Sequence, residues 1–177
     1  MSEARDLYER PAELLQRLVR FDTTNPPGSE RACLDWLAGL LQDAGLQITF
    51  VAADPGRPSL VARLPGRGDA PPLLLEGHVD VVPTAGQRWT HPPFAGELAD
   101  GSIWGRGTLD MKGGVAMFVA AALRAAATEL PLAGDVVLAL VSDEEAGGDL
   151  GAAHLVRERP DLLAGVRYAL ASSAASR

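Results

Sequence analysis

A leucine-rich run carries the first residues that could do chemistry. Leu73-Leu74-Leu75-Glu76-Gly77-His78-Val79-Asp80-Val81-Val82-Pro83 is bounded by prolines and reads as a buried strand. Strand side chains alternate between faces, so His78 and Asp80, at i and i+2, project together from its end. An imidazole beside a carboxylate has two uses. It can be a core histidine satisfied by its neighbour. Alternatively, the carboxylate takes one ring N–H, fixes the tautomer and leaves the other nitrogen for a metal.

Two further acidic clusters bear on that choice. Asp110 precedes a helix and by itself reads equally well as its N-cap. Asp143-Glu144-Glu145 ends a strand and by itself is an ordinary solvated turn. In open α/β sheets, however, ligands gather at the carboxyl ends of strands, and all three clusters sit at such ends or in loops leaving them. Brought together, unpaired carboxylates repel, and protons or cations must neutralise them. A pair of divalent metal ions would do so directly. His91 and His154 read as surface or packing residues. Gly105-Arg106-Gly107 lacks the Gly-x-x-x-x-Gly-Lys-Ser/Thr pattern of a phosphate loop.

The elements that must position these residues alternate between helix and strand. Apolar spacing predicts a helix over Leu7 to Phe21, then a loop through Asn25-Pro26-Pro27-Gly28. Ser29 is placed to cap a second helix from about Glu30 to Ala44, with Cys33 a small core residue beside its leucine stripe. Strands are predicted over Leu46 to Ala53 and Ser59 to Leu64, before the leucine strand. Asp100-Gly101 marks a hairpin. Then follow a helix from about Gly114 to Leu130, a strand from Asp135 to Ser142, a helix from Gly151 to Glu158 and a strand from Val166 to Leu170. The strongest strands are apolar throughout, which predicts a three-layer α/β/α domain with a largely parallel central sheet.

Composition narrows the function. The 177 residues suffice for one domain with a sizeable core. A net charge of −7 gives nucleic-acid binding no electrostatic support. A single cysteine, Cys33, excludes an intrachain disulfide and a zinc–thiolate cluster. Met1 to Arg10 is charged and carries no apolar signal region, and Val115 to Leu123 is too short to span a bilayer. A cytoplasmic protein with no membrane partner is the default expectation.

Three motifs, in order and spacing, resemble a known family. They are Gly77-His78-Val79-Asp80-Val81-Val82-Pro83, Trp104-Gly105-Arg106-Gly107-Thr108-Leu109-Asp110-Met111-Lys112-Gly113-Gly114, and Ser142-Asp143-Glu144-Glu145-Ala146-Gly147-Gly148. The family is the di-zinc amidohydrolases and metallopeptidases, among them acetylornithine deacetylase, succinyl-diaminopimelate desuccinylase, aminoacylase and glutamate carboxypeptidase. The resemblance implies hydrolysis of an amide in a peptide or N-acyl amino acid, through a water between two Zn2+ ions; Co2+ or Mn2+ suits the same ligands. It implies that His78 binds one zinc, Asp110 bridges both and Glu145 binds the second. Asp80 would orient His78, and Glu144 would be the general base. It also implies a cis peptide bond between Asp110 and Met111.

The sequence departs from the family at its end. Relatives carry a further acidic ligand just after the last strand, where this chain reads Ala171-Ser172-Ser173-Ala174-Ala175-Ser176-Arg177. Residues 1–170 are therefore expected to be the N-terminal portion of a truncated zinc-peptidase-like catalytic domain, and 171–177 an atypical tail. The lid or dimerisation domain and the final histidine ligand are not among the 177 residues. Each zinc would lack one protein ligand, so a catalytically inactive metal-binding or interaction module is the alternative reading.

Overall fold

A computed structural model of the chain describes residues 4–129 and 131–171. Two helices open it, α1 (Ala4–Leu7) and α2 (Pro11–Val19). The single helix expected over Leu7 to Phe21 is split by Pro11, which lies in the first turn of α2. Its ring disfavours helical geometry at Arg10, where φ is −126° and ψ 57°. Helix α3 (Arg31–Asp43) follows, but Ser29 does not cap it. The Ser29 hydroxyl instead donates to the Asp22 carbonyl at 2.7 Å and closes the Asp22–Ser29 loop.

Five strands form the main sheet: β1 (Gln47–Val51), β2 (Ser59–Leu64), β3 (Leu73–His78), β6 (Val136–Val141) and β7 (Tyr168–Ala171), in the order β1-β2-β6-β3-β7. The sheet is mixed. β3 pairs in parallel with β6 and β7, whereas β2 runs antiparallel to β1 and β6. The tight Asp54-Pro55-Gly56 turn between β1 and β2 permits only an antiparallel pair. A separate hairpin, β4 (Glu97–Ala99) and β5 (Ser102–Trp104), turns on Asp100 and Gly101, both at positive φ. That is the conformation the Asp-Gly pair was expected to supply.

Helices cover both faces of the sheet. α2, α3 and α4 (Lys112–Ala127) bury one face around Leu34, Leu37, Leu75, Val115, Val119, Leu138 and Leu140. α5 (Ala152–Glu158) and a 3-10 turn at Pro160–Leu163 cover the other, against Val61, Val137, Ala139 and Val141. The alternation along β6 shows why an unbroken apolar strand was needed: each successive side chain enters a different core. Gly77 lets α4 approach β3, since a Cβ there would meet Met111 Cε at 2.7 Å. Cys33 is a buried core residue. Leu130, the expected end of α4, and residues 172–177 of the expected tail lie outside the described residues.

The parallel register is what positions the site. His78, the last residue of β3, stands beside Val141, the last of β6. The loops leaving both strands therefore open at the same edge, as the switch-point rule for α/β sheets anticipates.

Candidate metal centre

The three acidic clusters come together at that edge. His78 is buried, and its Nδ1 faces the main-chain oxygen of Asp80 at 2.9 Å. Its Nε2 points outward, 3.1 Å from Asp110 Oδ1 and 3.7 Å from Glu144 Oε2. The expected approach of imidazole to carboxylate is present, with Asp80 Oδ1 at 3.4 Å from Nδ1, and the carbonyl of the same residue, which lies nearer, also holds the ring.

The Asp80 carboxylate is occupied elsewhere. It is fully buried and accepts the Glu144 amide at 3.1 Å on Oδ1. On Oδ2 it accepts the Glu145 amide at 3.1 Å and Asn25 Nδ2 at 2.8 Å. Asp80 thereby joins the end of β3 to the loop after β6. In that loop Asp143 adopts the left-handed conformation, with φ 67°, and starts a 3-10 turn over Glu144–Ala146. The turn aims the two amides inward at Asp80 and leaves Glu144 exposed and Glu145 half-buried.

Asp110 lies just before α4, and the Asp110–Met111 peptide bond is cis. It does not cap the helix: Met111 is the N-cap residue and no side chain bonds there. Its half-exposed carboxylate reaches His78 instead. Ligand atoms of His78, Glu144 and Glu145 lie within 4.8 Å of one another, the one group of three such residues among those described. Bonds of ~2.0–2.2 Å to one tetrahedral ion would draw such atoms to ~3.3–3.6 Å from one another, so the group would have to close around a cation. One imidazole nitrogen and several carboxylates is a donor set for zinc, cobalt or manganese. His91 and His154 take no part. His91 pairs with Glu97 at 3.0 Å and packs on Trp104, and His154 faces Arg157.

The electrostatics express a demand for positive charge. Burial works to lower the His78 pKa, but Asp80, Glu144 and Asp110 outweigh it and raise it to about 9. Burial pushes the Glu145 carboxyl up; His78 opposes this, while Asp110, Glu144 and Asp80 add to it. For Asp80 burial acts upward too, yet bonds from His78, Asn25 and the Glu145 amide hold it below the usual range. The cluster thus favours a proton on His78, and a cation on the same nitrogen would answer the same field.

Several supporting residues escaped the sequence reading. Asn25 Nδ2 bonds Asp80 and lies 3.4 Å from Asp143 Oδ1. Arg57 forks onto the buried Glu30 carboxylate, at 2.6 and 3.1 Å, and reaches Asp143 Oδ1 at 3.1 Å. Lys112 is fully buried and donates to the Phe21 carbonyl at 2.7 Å. Burial depresses its pKa to about 8, against the opposing pull of Cys33, Asp22 and Asp80. The chain's one lysine, inside the Asp110 motif, was a usable signal. Asn25 and Arg57 carried none, lying in loops far from their partners in sequence.

A family model described as Peptidase family M20/M25/M40 matches residues 74–172, more than half of the chain. The chain belongs to this family. It is similar to a succinyl-diaminopimelate desuccinylase of Paracoccus denitrificans, 44% identical over 142 residues, which cover 80% of this chain and 36% of that protein. The M20 fold is shared with human carnosine dipeptidase 1, at a TM-score of 0.80 and 24% identity, over 95% of this chain and 39% of that one. A Bacillus subtilis protein described as a dinuclear metal-binding peptidase of the M20 family aligns at a TM-score of 0.66 and 20% identity, over 93% of this chain and 42% of that one. The chain spans about a third of the length of the curated relatives it matches, 36% and 35% for the first two.

Proposed function

We propose that the chain contributes to metal-dependent hydrolysis of an amide bond in an N-acyl amino acid or small peptide, and that residues 1–170 form the N-terminal portion of the catalytic domain. The observation that carries this reading is the convergence of His78, Asp110, Glu144 and Glu145 at one sheet edge. Similarity to a succinyl-diaminopimelate desuccinylase makes N-succinyl amino acids the first substrates to try.

His78, Asp110 and Glu145 are the residues that would hold two zinc ions, with Asp110 shared. Bound there, the ions would lower the pKa of an attacking water and polarise the scissile carbonyl. Glu144, exposed at the same edge, would take a proton from the attacking water and pass it to the leaving nitrogen. The Asp80 carbonyl holds the His78 ring with Nε2 outward, and the Asp80 carboxylate holds the loop carrying both glutamates. Neighbouring Glu144 and Glu145 can then serve separate ends.

Catalytic zinc usually has three protein ligands and a water. The described residues offer two per ion in this assignment, which favours a second reading: a chain that binds metal weakly and turns over little by itself. Zinc titration calorimetry combined with an assay of amine release from succinyl-diaminopimelate separates the two. Zinc-dependent release abolished by Glu144→Ala supports the hydrolase, and weak zinc binding without release supports the second reading. Cleavage unchanged by Glu144→Ala rules out the role given to Glu144.

A further inference from the structure

Behind the metal face lies a second tier of buried polar residues that the proposed reaction does not use. We propose that Asn25 and Arg57 are positioning residues for the metal centre, setting where Glu144 and Glu145 stand relative to His78. The inference rests on the metal-site reading above and adds residues to it.

The tier is built from three loops. Asn25 belongs to the Asp22–Ser29 loop, which is laced to the end of β3 as a short parallel pairing. The Asn25 amide donates to the Val81 carbonyl at 2.9 Å and the Val81 amide to the Thr23 carbonyl at 3.1 Å. The Thr23 hydroxyl adds a bond to the Val79 carbonyl at 2.6 Å. So held, the Asn25 side-chain amide turns toward both carboxylates under the glutamate loop, at 2.8 Å from Asp80 and 3.4 Å from Asp143. Arg57 comes from the loop before β2. Two of its nitrogens engage Glu30 and the third engages Asp143. Gly28 makes the room, because a Cβ there would lie 2.1 Å from Arg57 Nε. The Arg57 carbonyl also accepts the Ser142 hydroxyl at 3.1 Å.

Both carboxylates hold main chain rather than substrate. Asp80 takes the Glu144 and Glu145 amides. Asp143 takes the Leu150 amide at 3.0 Å on its side chain, and its carbonyl takes the Gly148 amide at 2.7 Å. The loop that presents both glutamates is therefore closed around two buried anions. Buried anions keep one position only where donors or cations satisfy them. Asn25 supplies the neutral donor shared by the two, and Arg57 the positive charge. Removing either leaves Glu144 and Glu145 attached but free to drift from His78 Nε2, and ligand spacing is what a metal ion senses.

The test uses the whole chain, with zinc titrated by calorimetry and Co2+ followed by its visible absorption. Asn25→Ala and Arg57→Met should weaken zinc binding by ~10–100-fold, the cost typical of losing an outer support of a metal ligand. Both should also alter the Co2+ spectrum, and Arg57→Lys should recover part of the affinity. Arg63→Met is the control. It breaks the pair with Asp135 at the far end of β2, and should lower the melting temperature while leaving affinity and spectrum unchanged. Should Asn25→Ala not fold, Asn25→Ser, which keeps the main-chain bonds and adds no charge beside Asp80 and Asp143, is read in the same way. Affinity and spectrum equal to wild type in the Asn25 and Arg57 variants overturn the inference and leave the metal reading standing. Absence of zinc binding by the wild type overturns both.

Discussion

Asp80→Asn tests how the site is held together, because the change alters charge and hydrogen bonding at almost constant shape. The wild-type carboxylate accepts the Glu144 amide on Oδ1, and the Glu145 amide and Asn25 on Oδ2. An asparagine has one acceptor oxygen. Its better orientation keeps that oxygen at the Oδ2 position, where two donors converge. The NH2 group then faces the Glu144 N–H, donor against donor, in a fully buried place. That unsatisfied pair costs ~1–3 kcal/mol, and each surviving bond weakens by ~1 kcal/mol on losing its charge. Burying a neutral amide in place of a carboxylate offsets part of this. The net expectation is a loss of ~3 kcal/mol at pH 7. With a urea slope of ~1–3 kcal/mol/M, the unfolding midpoint should fall by ~1–3 M. Asp69→Asn, at an exposed carboxylate paired with Arg67, should stay within ~0.5 kcal/mol of wild type. An Asp80→Asn midpoint indistinguishable from that control would refute the view that Asp80 ties the strand end to the glutamate loop.

Two further outcomes follow from the shifted pKa values of two buried groups, His78 beside its carboxylates and Cys33 in the core. The His78 pKa is raised to about 9, so its contribution to metal-free stability is complete below about pH 6.5 and is lost as pH rises through 9, by up to ~3 kcal/mol. Thermal melts in chelator from pH 6 to 10 should show this decline, and His78→Ala should flatten it; added zinc should bind more tightly as pH rises, since that proton must leave. Burial pushes the Cys33 thiol to about 12, so iodoacetamide at pH 8 should label native protein at least ~1,000-fold more slowly than protein in urea, as read by mass spectrometry. Labelling at similar rates in both states would contradict the buried position of Cys33.

The sequence by itself determined the elements and the three clusters. The apolar runs Leu73–Leu75 and Val136–Val141 specify interior strands, and the polar ends of those strands hold His78 and Asp143. The order and spacing of the motifs gave the family, which the match over residues 74–172 bears out. Proline chemistry at Pro11 was legible too, but the apolar spacing from Leu7 to Phe21 hid it. Local pattern could not decide partnership. Asn25 bonds Asp80 from 55 residues away and approaches Asp143 from 118 residues away, and Arg57 is 27 residues from Glu30. A side-chain amide or guanidinium in a loop looks the same in sequence whether solvent or a buried carboxylate satisfies it. The antiparallel placing of β2 beside β6, the parallel register of His78 with Val141, and the left-handed turn at Asp143 all depend on long-range packing. Only the tertiary structure decided that the Asp80 carboxylate holds the glutamate loop while its carbonyl orients the histidine, because that division rests on which donors the fold brings within about 3 Å.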